Sequence, residues 1–250
     1  MELTGRRALV TGASSHLGAA IANSLAQRGA RVAVNHRHSP KEAAQVAGSL
    51  PTVPGGPHIA IQADVSDGRA VEEMVDNVAD SLGGLEILVN NAGPYGATPL
   101  SEVDGDEWNR VIETSLKGSW LCARAAAPHI RRSGWGRVIN LSAVSAGVRN
   151  RGAYGFAKAS VEDLTAQLAL ELAPYATVNA IAPGQILDSL EDLEAFDPDW
   201  AAAVTKATPL QRLVTRAQLG EVVAAMCSEA FSSMTGVTIR IDGGLGLNVF

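Results

Sequence analysis

One alternation constrains the fold of this 250-residue chain more than any other feature. Short β-branched and aliphatic runs recur at 7–12, 31–36, 58–64, 85–91, 136–142, 176–183 and 237–244. Helical patterns such as 17–30, 69–84 and 159–173 fill the intervals. Several runs, LEILVNN among them, are apolar almost throughout, as befits strands covered on both faces. Such alternation predicts an α/β protein: a doubly wound parallel sheet flanked by helices and linked by right-handed crossovers. No repeat or interdomain linker interrupts it, and PTVPGGP at 51–57 reads as a simple loop, so residues 1–250 are expected to form a single domain. The segment at about 185–213 breaks the rhythm with acids, Pro198, Pro209 and aromatics. In an open α/β sheet ligands bind beyond the carboxyl ends of the strands, so a substrate lid is expected there. A surface helical hairpin is the alternative.

Composition excludes several classes. The net charge of −6 offers no basic field for nucleic acid. No run approaches the ~18 apolar residues of a membrane span. MELTGRRALVTG enters its first strand at once, which leaves no room for a signal peptide and makes a cytoplasmic location the expectation. Cys122 and Cys227 lack metal-ligand spacing, so no metal site is expected.

LVTGASSHLG at 9–18 reads as strand, glycine turn and helix start. Such a turn offers backbone N–H groups and the positive end of a helix dipole to an anion, usually a dinucleotide pyrophosphate. Gly12 would make the tight turn and Gly18 would let helix and sheet pack closely. At the end of the second strand, NHRHS at 35–39 carries no acid to accept from ribose hydroxyls, whereas Arg37 suits a 2′-phosphate. NADPH is therefore expected over NADH. A metal site at His36 and His38 lacks a third ligand.

AYGFAK at 153–158 sets Tyr154 four residues before Lys158 in a helical pattern, so both side chains share a face. A neighbouring ammonium is expected to lower the phenol from its usual pKa of ~10, making Tyr154 a proton donor and acceptor. A plain surface pair is the alternative.

Together TGASSHLG (11–18), DV (64–65), NNAG (90–93), YGFAK (154–158), VNAIAPG (178–184) and DGG (242–244) resemble the short-chain dehydrogenase/reductase family over essentially the whole chain. The resemblance implies a Rossmann-type fold and an NADPH-dependent ketoreductase. It implies a cofactor site built from Gly12, Ser14, Ser15, His16, Leu17, Gly18, His36, Arg37 and His38. Asp64 and Val65 would contact adenine, and Asn91, Ala92 and Gly93 would line the cofactor with Pro183 and Gly184. Ile186 would hold the nicotinamide carboxamide through its backbone. Tyr154 would be the acid/base, and Lys158 would bind the nicotinamide ribose while depressing the tyrosine pKa.

Four positions depart from the family pattern. His16 stands where a second glycine is usual. Ala143 stands at the usual serine in NLSAVSAG (140–147), which leaves Ser142 as the expected catalytic hydroxyl and Ser145 as its rival. Ser115 replaces the asparagine that supports a proton relay through water to the lysine. Asp188 replaces a threonine near the cofactor phosphates and is expected to rotate away or move with the lid.

The resemblance suggests a ketone substrate: a 3-oxoacyl thioester, a pterin-like ring or a polyketide-like compound. With no basic cluster for a carrier protein, a small hydrophobic or aromatic ketone is favoured. Tyr95, Val148, Phe196 and Trp200 are expected as pocket walls. A nucleotide-binding sensor or assembly protein with little turnover is the reading of another class, and retention of Tyr154 and Lys158 weighs against it. Family members are usually tetramers, and the apolar helix 161–173 and the C-terminal run fit burial in a homotetramer.

Overall fold

The computed structural model describes residues 2–96, 98–147, 152–186, 188 and 198–248. Of the expected pocket walls, Val148 and Phe196 lie outside these residues, as do 187 and 189–197 of the expected lid. Seven strands form the sheet: β1 (Arg7–Val10), β2 (Arg31–His36), β3 (Ile59–Gln62), β4 (Ile87–Asn90), β5 (Gly136–Leu141), β6 (Ala176–Pro183) and β7 (Thr238–Ile241). All pair in parallel, in the order β3-β2-β1-β4-β5-β6-β7. The helices are α1 (His16–Gln27), α2 (Pro40–Ser49), α3 (Gly68–Leu82), α4 (Gly105–Ile112), α5 (Gly118–Ser133), α6 (Gly152–Leu172), α7 (Pro198–Ala207) and α8 (Arg216–Met226).

Successive strand residues point to opposite faces, and the two cores follow that rule. Val10, Val34, Val89 and Ile181 pack with Ile21 and Leu25 of α1 and Leu219 and Val223 of α8. Leu9, Leu88, Val138 and Val178 pack instead with Val71 and Val75 of α3, Cys122 and Ile130 of α5 and Leu168 of α6. Each fully buried Leu or Ile contributes ~1.5–3 kcal/mol relative to exposure, so the two layers together fix the sheet between its helices.

Strand order reverses between β1 and β4, which opens a crevice at their carboxyl ends. Side chains pin that crevice. Thr11 Oγ1 accepts from the backbone N–H groups of Asn91 and Ala92, each at 3.0 Å, and Asn91 Nδ2 donates to Thr11 O at 2.9 Å. Asn35 Oδ1 accepts from Gly12 N at 3.1 Å, tying the first turn to the end of β2. α6 starts at Gly152 with φ of 60°, and a Cβ there would stand 2.1 Å from Thr98 O, so only glycine fits this approach.

Candidate active site

At the N-terminus of α1, Ser15 stands at the cap position, yet its side chain bonds none of the helix's free N–H groups, and no acid sits in the first turn. α3 and α8, by contrast, are capped by Asp67 and by a Thr215–Gln218 box. The α1 N–H groups thus remain free for an anion. His16 adopts φ of 49°, the left-handed conformation that glycine enters without cost, which explains why glycine is usual there. The residues fit a dinucleotide: one cavity of about 930 Å³ runs from Gly12, Ser15, His16, Leu17 and Gly18 past Asn91, Ala92 and Gly93 to Tyr154 and Lys158. A smaller cavity of about 170 Å³ adjoins it at Gly12 and Ala92 and is lined by Arg37, Asp64, Val65 and Arg110. Arg37 Nη1 pairs with Asp64 at 3.5 Å.

Tyr154 and Lys158 share the cavity-facing side of α6, with Lys158 Nζ 5.6 Å from the phenol ring centroid. Tyr95 stacks edge-on against Tyr154, with centroids 5.1 Å apart and planes at 64°. Burial dominates the phenol. Desolvation, with Tyr95 adding to it, pushes Tyr154 up to about 12. Desolvation also lowers Lys158 to about 8, and its ammonium donates at 2.6 Å to Leu141 O. The expectation that Lys158 draws the phenol downward is therefore corrected for the free protein, because the buried cation is itself weakened and its close contact is the Leu141 carbonyl.

A stability signature follows. The folded pKa of Lys158 lies below its unfolded value, so the penalty for burying the charge is full below about pH 8 and fades as pH rises toward ~10.4. Lys158→Met is expected to lose ground to the parent in denaturant midpoint as pH rises from 7 to 10. A pH-independent difference between the two would contradict this.

The remaining members of the site fall into place unevenly. Ser142, the expected catalytic hydroxyl, borders the larger cavity, but its Oγ is already engaged: it donates to Glu162 Oε1 at 2.8 Å and lies 3.2 Å from Lys158 O. His36 stands apart from the other expected cofactor residues. It is buried, borders neither cavity, and burial lowers its pKa. His38 is exposed, and neither it nor Ser14 borders either cavity. Pro183, Gly184 and Ile186 line the larger cavity, and Ile186 is held by a parallel bridge to Val214. Asp188 has turned away, as expected, for a reason the sequence hid: its carboxylate accepts from Arg216 N at 2.5 Å and pairs with Arg216 Nη1 at 2.6 Å. α7 brings Trp200, Ala203, Val204 and Ala207 to the cavity wall, so this part of 185–213 is no detached hairpin.

A family model described as enoyl-(acyl carrier protein) reductase matches residues 12–246. The 3-oxoacyl-[acyl-carrier-protein] reductase FabG of Staphylococcus aureus is 38% identical over 248 residues, covering 98% of this chain and 99% of that protein. The chain belongs to the short-chain dehydrogenase/reductase family. Solved members superpose on it closely. A putative short-chain alcohol dehydrogenase from Sinorhizobium meliloti gives a TM-score of 0.89 at 35% identity, covering 100% of this chain and 99% of that one. A gluconate 5-dehydrogenase from Burkholderia cenocepacia, solved with NADP and tartrate, gives 0.90 at 30% identity, covering 99% and 98%. This family consists of oxidoreductases that use nicotinamide cofactors, and the doubly wound parallel sheet agrees with membership. Among the described residues no helix is long and apolar enough to cross a membrane.

Some contributors to the family site were not evident in the sequence. Thr11 and Asn35 brace the turn, yet neither is a residue to which TGASSHLG or NHRHS alone assigns a role. Arg110 reaches the smaller cavity from α4, and only the packing of that helix reveals it. Ser115 lies in a π-helical turn, Glu113–Lys117, between α4 and α5, a wide turn that often marks functional sites.

Proposed function

We propose that the protein reduces a ketone to an alcohol with NADPH as hydride donor. The observation that carries this is a single cavity joining the uncapped N-terminus of α1 to the Tyr154–Lys158 pair. When bound, the reduced nicotinamide supplies a hydride to the carbonyl carbon and is thereby oxidised. Tyr154 gives its phenolic proton to the carbonyl oxygen, and Lys158 holds the nicotinamide ribose and balances the phenolate left behind. Ser115 Oγ is buried without a partner. It and Lys158 Nζ lie 2.8 Å and 3.5 Å from the point a Cβ on Gly93 would occupy. The two groups converge on Gly93, which supports a role for Ser115 in a proton relay to the lysine.

Arg37, which directly follows β2, supports NADPH, as does the likeness to a relative solved with NADP. The substrate half is bordered by Tyr95, Val144, Trp200, Val204 and Leu245, which favours a small hydrophobic or aromatic ketone. The likeness to FabG favours a second reading, a 3-oxoacyl thioester. The test is NADPH and NADH oxidation with aryl ketones and acetoacetyl thioesters. NADPH is expected to be preferred, and Arg37→Ala to raise its KM by about 10-fold or more, the scale of one lost charge-assisted hydrogen bond, while changing that for NADH little. Activity confined to thioesters would overturn the ketone reading, and tight NADPH binding with no turnover would favour a sensor. A homotetramer in the cytoplasm completes the proposal. Phe156 and Leu170 on α6 are 51% and 78% exposed, apolar surface that paired subunits would cover. A monomer in sedimentation at micromolar concentration would count against it.

A further inference from the structure

We propose that Ser145 supplies the hydroxyl that hydrogen-bonds the substrate's carbonyl oxygen, a reading that rests on the carbonyl-reductase function above. The segment after β5 holds two serines, and the structure separates them. Ser142 Oγ already serves Glu162. Residue 143 is alanine and has no hydroxyl to offer. Ser145 borders the same cavity as Tyr154, and its Oγ is buried with no hydrogen-bond partner in the protein. A buried hydroxyl without a partner is costly, and native structures seldom retain one unless something outside the chain completes it.

The turn that carries Ser145 is well fixed. Ala146 N donates to Ala143 O at 2.9 Å, closing the turn around residues 144 and 145. Behind it, Arg240 Nη2 stands 3.0 Å from the point a Cβ on Gly147 would occupy, and Val144 packs on Gly246. The hydroxyl is therefore presented by a braced turn, and a donor set in place beforehand is what a developing negative charge on oxygen requires. Both serines border the cavity, but only the hydroxyl of Ser145 is left without a partner in the protein. Ser145 donates to the oxygen as hydride arrives at carbon, and the proton that ends on oxygen still comes from Tyr154.

The test uses the full-length protein with ethyl acetoacetate and 2,2,2-trifluoroacetophenone as carbonyl probes. Ser145→Ala is expected to lower kcat about 100-fold, the loss typical of removing one such donor, with NADPH Kd by fluorescence within twofold of the parent. Adding Ala143→Ser to that variant is expected to recover at least tenfold of the loss, because a hydroxyl then approaches the same oxygen from a neighbouring position. Thermal unfolding of the free protein supplies a readout independent of turnover. Ser145→Ala is expected to leave Tm unchanged or raise it, whereas Ser142→Ala lowers it by stripping a partner from Glu162. A fall of several degrees on Ser145→Ala, or kcat within threefold of the parent, overturns the assignment. If the parent binds NADPH but reduces neither probe, the reductase reading falls and takes the assignment with it.

Discussion

Replacing Tyr154 with phenylalanine is expected to cut ketone reduction by about 10³-fold or more while leaving NADPH affinity within about threefold. General acid catalysis by a positioned side chain is worth ~10²–10⁴, and the phenol is the only proton donor assigned to the carbonyl oxygen here. The substitution preserves the ring and hence the edge-on stack with Tyr95 at 5.1 Å, so packing around the site should survive. A phenol pushed up to about 12 is no obstacle to reduction, which begins from its protonated form. The demand falls on the step after transfer, when a buried phenolate must be balanced by the Lys158 ammonium. Steady-state kcat with NADPH, beside a fluorescence titration of cofactor binding, measures both quantities. Retention of a tenth of parental turnover would mean that another group delivers the proton.

Gly18→Ala is expected to weaken NADPH binding by more than about 30-fold and to destabilise the fold by ~1–3 kcal/mol, the usual cost of forcing atoms into a packed site. A Cβ at this position would stand 2.4 Å from Gly12 O, 2.7 Å from Ala13 Cα and 2.7 Å from Asn91 Nδ2. Two of those neighbours are backbone, so no side-chain rotation relieves the clash. Relief must come from moving the turn or the helix, and both belong to the pyrophosphate site. Gly48→Ala is the matched control, since a Cβ on that α2 residue meets nothing within 4 Å. It is expected to stabilise by ~0.5–1 kcal/mol through helix propensity alone. Denaturant midpoints and cofactor titrations on both variants check the contrast. Equal behaviour of the two would show that the close approach carries no weight.

Much of the architecture was legible because it depends on local pattern. The runs at 31–36 and 176–183 became β2 and β6 with the same bounds, and the other five strands were trimmed by between one and four residues. Spacing alone put Tyr154 and Lys158 on one face, since 3.6 residues per turn leaves no alternative. The errors lie where the answer depends on surroundings. Whether the Ser142 hydroxyl is free is set by a glutamate twenty residues away. The rise of the Tyr154 phenol depends on how much water the fold removes, which no spacing encodes. His36 stands beside Arg37 in sequence, yet alternation sends its ring into the interior. Asp188 found Arg216, a partner on a helix that begins 28 residues later.

The residues proposed to hold the nucleotide sit on strand ends and a helix start, tied together by Thr11, Asn35 and Asn91. The surfaces that meet the other reactant come from elsewhere: Tyr95 before α4, the turn at 144–147, and Trp200 on α7. Substitutions in those segments can therefore remodel one half of the chamber without touching the hydrogen bonds that brace the other. Such a division of labour lets a single scaffold diversify its chemistry toward new metabolites without relearning how to carry electrons.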